Sequence, residues 1–194
     1  ETYAPGHIVI PNQIFDFTHK RERSFFGKGL VAHISVADPF CKSLSDVLEQ
    51  SLVDSGAPYH RGGTYITIEG PRFSTKGESN LYRLWGIDII GMTASPEVFL
   101  AREAEICYTT MAHVTDYDVW HVSEEAVTVD MVVKTLSKNI KLAQETIKKM
   151  VTLIDEAQHC ECQNALQNAL LTDPDHIDPQ KRQQVARLIE KYLD

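Results

Sequence analysis

The amino-acid sequence predicts an α/β fold, with a mixed central sheet flanked by helices. The run at 7–11 is rich in Ile and Val, and the run at 63–69 combines Tyr and Ile with Thr, so both have the length and composition of strands. Between them, residues 39–56 place Leu at steps of three and four and end at Gly56, which predicts a helix with a glycine stop. Strands and helices alternate in this way along the chain, as they do in α/β proteins with a largely parallel or mixed sheet.

The remaining elements follow from the same two periodicities. Residues 129–154 carry apolar side chains at steps of three and four residues, which predicts one long helix with a buried face. Asp178 followed by Pro179 predicts the capped start of a last helix. In chain order, we predict strands at 7–11, 30–36, 63–69, 88–93 and 106–114, and helices at 39–56, 76–85, 96–104, 129–154, 164–171 and from 179 onward.

The chain has the size and composition of one folded domain with a short addition. Its 194 residues can bury one sizeable core. We therefore expect a main domain over 1–155 and a helical C-terminal extension over 156–194 that packs on the same domain.

Composition and charge exclude several classes of function. The net charge is −8 and there is no basic tract, so we expect no nucleic-acid partner. Apolar runs stay well short of the roughly 20 residues of a membrane helix, so we expect no membrane partner. The chain does not open with the pattern of a signal peptide, and we expect a cytoplasmic location.

The four cysteines, Cys41, Cys107, Cys160 and Cys162, are too few for a disulfide framework in a chain of this length. Cys41 and Cys107 lie in apolar runs, and we interpret them as small buried side chains. Cys160 and Cys162 are spaced more tightly than half of a usual zinc site, so we expect no metal site. We expect all four to be reduced, with Cys160 and Cys162 the first candidates for an exception.

Polar clusters follow three of the predicted strands, at 69–75, 92–97 and 115–120. Ligands of open α/β sheets bind where strands end, so these clusters are candidate binding segments. In the first, Ser74 or Thr75 can simply cap the next helix. Alternatively, Phe73 stacks on a planar base and Ser74 hydrogen-bonds its edge.

The other two clusters also allow two interpretations. Thr93 or Ser95 can cap the following helix, or can contribute to an anion site at its start, and Met92 can be core. Asp116 and Asp118 come directly after an apolar run. Paired carboxylates at such a place are either exposed to solvent or used in binding or catalysis. The pattern alone does not identify a reaction.

Three segments in this order, GTYITIEGPRFST, DIIGMTASPEVFLAREAEICY and VTDYDVW, resemble the methylthioadenosine phosphorylases, a branch of the trimeric purine nucleoside phosphorylases. The resemblance extends from about Pro5 to Leu153. It implies a nucleoside phosphorylase-like fold and reversible phosphorolysis of S-methyl-5′-thioadenosine to adenine and 5-methylthioribose 1-phosphate. It also implies a homotrimer that uses phosphate as co-substrate and needs no cofactor.

The resemblance assigns roles to six side chains. Asp116 is the catalytic residue that serves N7 of the purine, and Asp118 lies beside the exocyclic amine. Phe73 stacks on the base, Met92 lies beneath the ribose hydroxyls, and Thr93 contacts phosphate and sugar. His33, on an apolar run, matches a residue lent to the neighbouring subunit, although such a residue is also often a satisfied core histidine.

The resemblance also bears on the substrate. Phosphorylases of 6-oxopurines have Asn in place of Asp116 and Glu in place of Ser74, so this chain suits adenine. They also carry a His where this chain has Val129, and an apolar mouth of Val129, Val132 and Val133 suits a 5′-methylthio group. The alternatives are a 6-oxopurine or methylthioinosine phosphorylase, or a purine-binding remnant without catalysis.

The same comparison predicts what this chain lacks. The family's N-terminal strands, its glycine-rich phosphate loop and its Arg-His-Gly segment correspond to positions before Glu1. We therefore expect the N-terminal strands of the fold to be missing from this chain and the 194 residues alone to be inactive.

Overall fold

The computed structural model describes residues 1–121, 128–155 and 160–193, except for the side chains at 131, 132, 134–136 and 138. The strands are β1 Ile8–Ile10, β2 Gln13–Phe17, β3 Tyr59–Arg61, β4 Thr64–Ile68, β5 Ile89–Gly91 and β6 Ala112–His113. The helices are α1 Lys42–Ser55, α2 Lys76–Leu84, α3 Glu97–Glu103, α4 Val129–Leu153 and α5 Pro179–Ile189.

The strands of the described residues form two three-stranded sheets that continue one another. The first has the order β3-β1-β6 with β6 antiparallel, and the second has the order β2-β4-β5 with all strands parallel. Both use the same register, with Ile8 opposite Tyr59 and Gln13 opposite Thr64. The predicted mixed α/β architecture is therefore confirmed.

Pro11 lies at the break between the two sheets. A proline has no N–H to give to a strand ladder, so the ladder is interrupted at this position. Opposite it, Gly62 and Gly63 adopt φ values of 92° and 106°, a region that favours glycine. The amide of Gly62 still donates to the carbonyl of Ile10 at 2.9 Å, which keeps the two segments side by side.

Helices cover the sheets through apolar clusters. Ile8 and Ile10 of β1 pack with Leu48 and Leu52 of α1, and all four are at most 1% exposed. Leu142 and Met150 of α4 pack against this cluster. Burying each such side chain is worth about 1.5–3 kcal/mol, so this layer holds the scaffold in place. A second cluster joins β4 to α2: Ile66, Ile68, Tyr82 and Ile87.

Two predicted elements are wrong. Residues 30–36 form one isolated bridge, Ala32 with Leu170, instead of a strand. Their backbone partners lie on the C-terminal segment, where Ala169 accepts from His33 at 2.8 Å. The predicted helix at 164–171 is instead a 3-10 helix, Glu161–Asn164, followed by turns. Asn168 has a φ of 67°, which a right-handed helix cannot contain.

Two strands were not predicted, and one was predicted too long. The alternating polar residues of β2 and the three residues of β3 gave too weak a pattern. The predicted strand at 106–114 is reduced to Ala112–His113, while the rest is extended chain without a ladder partner among the described residues.

The C-terminal segment has its own apolar contacts with the rest of the molecule. Its buried cluster consists of Phe26, Leu30, Leu166, Ala169, Ile177, Val185 and Ile189. Asp178 caps α5, as predicted, and accepts from the amides of Gln180 and Lys181 at 2.9 and 3.1 Å. A domain boundary at residue 155 stays a prediction. Among the described helices, none is long and apolar enough to cross a membrane.

Candidate active site

One cavity of about 670 Å³ collects residues from all three polar clusters. It lies where the chain leaves β4, β5 and β6. Its lining includes Phe73 and Ser74, Met92 and Thr93, and the segment from Thr115 to Asp118. Segments far apart in sequence therefore converge on one site. Two of them follow the carboxyl ends of the parallel strands β4 and β5, and the third follows the antiparallel strand β6.

In the first loop, the neighbouring residues Ser74 and Thr75 have different roles. Thr75 caps α2 and accepts from the amide of Glu78 at 3.2 Å, and the Glu78 carboxylate accepts from the Thr75 amide at 2.8 Å. Arg72 holds that carboxylate at 2.6 and 2.7 Å and, with the Thr75 amide, lowers the pKa of Glu78 to about 2. The capping function therefore belongs to Thr75, and Ser74 lines the cavity beside Phe73.

Because the two neighbouring hydroxyl residues have different roles, replacing each of them by Ala should have a different effect. We expect Thr75→Ala to lower the free energy of unfolding by about 0.5–2 kcal/mol, because it removes the helix cap. We expect Ser74→Ala to leave stability nearly unchanged and to weaken adenine binding. Chemical denaturation and adenine titration of both variants measure the two effects. Equal effects of the two variants on both properties would contradict the assignment.

The second loop places Met92 against the turn after β4. Gly70 has a φ of 70°, and a Cβ at this position would lie 2.8 Å from the Met92 sulfur. Only glycine therefore allows the thioether to lie this close to the Gly70–Pro71 turn. Position 96 is the N-cap of α3, and no side chain caps the helix. Thr93 consequently is not used as a cap, and it lines the cavity.

Tyr65 of β4 is a cavity residue that the sequence analysis missed. Burial raises the pKa of Tyr65, and its hydroxyl hydrogen-bonds to Thr93. A Cβ on Gly91 would lie 1.8 Å from this hydroxyl, so the glycine makes room for it. Tyr65 thus contacts Thr93 and helps to hold it in position.

Arg21 joins the first two loops and was also missed. Its guanidinium donates to the carbonyls of Met92 at 2.8 Å, Ser95 at 2.6 Å and Glu69 at 3.1 Å. The Glu69 carboxylate accepts from the amide of His19, which lowers the pKa of Glu69 together with the Lys20 amide and Arg21. Arg21 is therefore a positioning residue, which holds the ends of β4 and β5 in register.

The third loop holds its two carboxylates differently. Asp116 accepts from the Thr115 hydroxyl at 2.6 Å through Oδ2 and from the Asp118 amide at 2.8 Å through Oδ1. Asp118 has a φ of 58° and a buried Oδ2 without a hydrogen-bond partner among the described residues. Asp116 is thus oriented by its own loop, while Asp118 offers a free acceptor.

Three further buried polar atoms of the cavity residues have no hydrogen-bond partner in the described part of the chain. They are Ser79 Oγ, Thr110 Oγ1 and His113 Nδ1. Burial lowers the pKa of His113, which favours its neutral form. Each unmatched buried group costs about 1–3 kcal/mol, so a polar ligand that pairs with them regains this free energy. The sequence signal that could have identified His113 as a cavity residue is its position, two residues before Thr115 on one extended segment.

Aromatic side chains give the cavity flat apolar walls. Phe73, Tyr82 and Trp120 line it, and Phe73 is 41% exposed. The guanidinium of Arg83 lies 4.0 Å from the centroid of the Trp120 ring and fixes that ring against α2. Planar walls with a few polar atoms suit a heteroaromatic ligand.

Three predicted site residues lie outside the cavity, and the side chain of a fourth lies outside the described residues. His33 is exposed and its amide pairs with Ala169, away from the cavity. Val129 and Val133 are 65% and 54% exposed and do not belong to the cavity lining. The side chain of Val132 lies outside the described residues. Their roles at the ribose 5′ group and the neighbouring subunit stay predictions.

Known proteins resemble this chain over its whole length. A family model described as the Phosphorylase superfamily matches residues 1–152. The S-methyl-5′-thioadenosine phosphorylase of Geobacter sulfurreducens is 47% identical over 194 residues, which cover 100% of this chain and 68% of that protein. The enzyme of the same name from Chloroflexus aurantiacus is 48% identical over 193 residues, 99% of this chain and 67% of that protein.

Solved structures show the same relationship. A methylthioadenosine phosphorylase from an Antarctic soil metagenomic library has a TM-score of 0.90 at 43% identity, covering 97% of this chain and 67% of that one. The methylthioadenosine phosphorylase of Schistosoma mansoni in complex with adenine has a TM-score of 0.78 at 35% identity, covering 86% and 66%. The chain thus spans about two thirds of the length of these relatives.

Proposed function

Because this chain belongs to the Phosphorylase superfamily, in the branch of the S-methyl-5′-thioadenosine phosphorylases, we propose that it serves the reversible phosphorolysis of S-methyl-5′-thioadenosine to adenine and 5-methylthioribose 1-phosphate. The observation that carries the proposal is the convergence of three strand-end loops on one cavity, with Asp116 and Asp118 on one of its walls. Phe73, Tyr82 and Trp120 supply the flat surfaces that a purine requires.

Phosphorolysis exchanges one bond for another at C1′ of the ribose. A phosphate oxygen forms a bond to C1′ while the C1′–N9 bond breaks. The electron pair of the C1′–N9 bond passes to the purine. Negative charge on the departing base is stabilised when N7 accepts a hydrogen bond and is neutralised when N7 accepts a proton. We assign this role to Asp116, the contact with phosphate and sugar to Thr93, and the contact beneath the ribose hydroxyls to Met92.

The aspartates also recognise the 6-amino group. An amine donates hydrogen bonds, and the free Oδ2 of Asp118 is an acceptor without a partner among the described residues. The Asp116 carboxyl is held in place by Thr115 and by the amide of Asp118, so it meets the base in one orientation. A 6-oxo group would place its own acceptor against these oxygens, which is unfavourable.

Ser74 accounts for the second difference between purines. N1 of adenine is an acceptor, which a hydroxyl can satisfy by donating. N1 of a 6-oxopurine carries a proton, which needs an acceptor such as a carboxylate. At the ribose 5′ position the discrimination rests on apolar contact, which we assign to Val129, Val132 and Val133. Such contact is worth only about 1–3 kcal/mol, so adenosine should remain a weaker substrate.

A substrate comparison tests the proposal. This chain, extended at its N-terminus to the length of its relatives, is assayed with phosphate and each of methylthioadenosine, adenosine, methylthioinosine and inosine, and kcat/KM is determined for each. We expect methylthioadenosine to exceed inosine by at least about 10³-fold, since a base-edge mismatch leaves buried polar groups unpaired. A preference for either 6-oxopurine would favour the alternative phosphorylase, and adenine binding without turnover would favour the remnant.

We also propose a homotrimer in which His33 contacts the neighbouring subunit's site. Its exposed position outside the cavity of its own chain supports this assignment. Sedimentation should give the trimer mass, and His33→Ala should raise KM for methylthioadenosine without changing that mass. A monomeric protein would contradict the proposal. A cytoplasmic location likewise stays a prediction from the sequence.

A further inference from the structure

Four sulfur atoms come together away from the cavity. The Sγ atoms of Cys41, Cys107, Cys160 and Cys162 all lie within 4.8 Å of one another. Cys41 precedes α1, Cys107 lies between α3 and β6, and the other two belong to the C-terminal segment. None of the four lines the cavity. The tertiary structure therefore gathers every cysteine of the chain at one point.

The spacing of the sulfurs fits a single metal ion. Zinc bound to four thiolates has Zn–S bonds of about 2.3 Å in a tetrahedron, which places the sulfurs about 3.8 Å apart. The distance from Cys160 Sγ is 3.2 Å to Cys107 Sγ and 4.0 Å to Cys41 Sγ. Shifts of less than 1 Å in side-chain positions bring these distances to the tetrahedral value.

The backbone explains how two cysteines separated by one residue can reach the same point. Cys160 is extended, with φ −140° and ψ 165°, and a 3-10 helix begins at Glu161. The chain turns at this junction, so both sulfurs lie within 4.8 Å of those of Cys41 and Cys107. The tight spacing led us to expect no metal site, and the distant partners Cys41 and Cys107 revise that expectation.

Hydrogen-bond donors are directed at the sulfurs. The amide of Leu44 donates to Cys41 Sγ at 3.5 Å, at the N-terminus of the 14-residue helix α1. The guanidinium of Arg102 donates to Cys162 Sγ at 3.5 Å. Such donors and a nearby cation stabilise thiolates, the form that binds metal, and outer contacts of this kind orient the ligands of metal sites.

Two of the four cysteines are buried and the other two are half-buried. The buried pair, Cys41 and Cys162, are 3% and 4% exposed. Four protein ligands without an open position are typical of structural zinc sites, while catalytic sites keep one position for water. A bound ion would tie the C-terminal segment at 160–162 to α1 and to the segment before β6.

We propose that Cys41, Cys107, Cys160 and Cys162 bind one zinc ion in a tetrahedral structural site. Zinc displaces the four thiol protons on binding, and the site becomes a dianion beside Arg102. The site fastens the C-terminal segment to the α/β scaffold. It does not depend on the proposed activity, since it shares no residue with the cavity.

Metal analysis of the purified protein tests the proposal. Protein prepared in reductant without chelator should contain about one zinc per chain by elemental mass spectrometry. Cobalt in place of zinc should give the absorption bands of a tetrahedral tetrathiolate site. We expect Cys107→Ser and Cys162→Ser to weaken cobalt binding by more than about 100-fold, and Arg102→Gln by about 10–100-fold.

Ser45→Ala is the matched control. Ser45 is buried in the first turns of α1 and bonds to Thr109 at 2.7 Å, close to the cluster but without a sulfur. This variant should keep one zinc per chain. If the cysteine variants fail to fold, the zinc content and the cobalt spectrum of the unmodified protein decide the question alone.

Two results would overturn the zinc site. One is an intact mass lower by four hydrogens, without reactive thiols, which would mean two disulfides. The other is four reduced thiols that take up neither zinc nor cobalt in reconstitution. Either result would leave the proposed phosphorolysis unaffected, because the two proposals rest on separate residues.

Discussion

Asp116→Asn is expected to lower kcat/KM for methylthioadenosine by about 10²–10⁴-fold, the usual contribution of a general acid. An amide can donate a hydrogen bond to N7, but it cannot transfer a proton to the departing base. The same amide can donate to the oxygen of a 6-oxopurine. The ratio of inosine to methylthioadenosine turnover should therefore rise, even though the absolute rate with methylthioadenosine falls.

Steady-state kinetics with both nucleosides measures this change, and Asp46→Asn is its control. Asp46 is an exposed carboxylate on α1, paired with Lys42 at 2.7 Å and Arg61 at 2.8 Å, and it lies outside the cavity. Its loss should leave both rates within about twofold, since exposed ion pairs contribute at most about 1 kcal/mol to stability. If Asp116→Asn leaves both rates and their ratio unchanged, Asp116 does not contact the base.

The second large effect concerns the C-terminal segment. Leu166 is 0% exposed and packs in the cluster with Phe26, Leu30 and Ile189. We expect Leu166→Ala to lower the free energy of unfolding by about 2–5 kcal/mol, because it removes buried methyl groups and leaves a cavity. This loss is large against the usual stability of a domain, about 5–15 kcal/mol.

A second leucine in the same segment provides the control. Leu171 is 62% exposed, so Leu171→Ala should change the free energy of unfolding by no more than about 0.5 kcal/mol. Denaturant unfolding followed by fluorescence measures both variants. If Leu166→Ala changes a separate minor transition and leaves the main one in place, the segment after residue 155 folds independently of the domain.

Elements with a strong local pattern were predictable from the sequence. β4 consists of Thr, Tyr and Ile and ends two residues before Gly70, and α5 begins at an Asp-Pro pair. In both cases the stop or cap signal and the apolar pattern agree, so neighbouring residues alone determine the element. The long helix α4 was predictable from its apolar spacing, but the prediction that this face is buried is wrong: Ile140, Ile147 and Val151 are 47%, 52% and 65% exposed. Leu142 and Met150 pack on the scaffold instead.

Elements that depend on distant partners were not predictable. β2 exists because β4 pairs with it over five residues, and its own residues alternate without a strong apolar face. Residues 30–36 have the composition of a strand, but Ala32 finds only Leu170 as a ladder partner. Strand composition describes a preference, and the tertiary structure decides whether a partner is available.

The same distinction applies to the sites. The loops carrying Phe73, Met92 and Asp116 were found because each follows a strand in a recognisable motif. Arg21 was missed because it acts on carbonyls 48 to 74 residues further along the chain. The cysteine cluster was missed because Cys41 and Cys160 are 119 residues apart. Only the folded chain brings such groups together.

Identification of the ribose product tests most directly the central claim, which is that methylthioadenosine is cleaved by phosphate. Methylthioadenosine is incubated, with and without phosphate, with this chain extended at its N-terminus to the length of its relatives, and the products are separated and identified by mass. The account predicts that adenine and 5-methylthioribose 1-phosphate form in equal amounts, and only when phosphate is present. Adenine release at the same rate without phosphate, with free 5-methylthioribose as the second product, would contradict it.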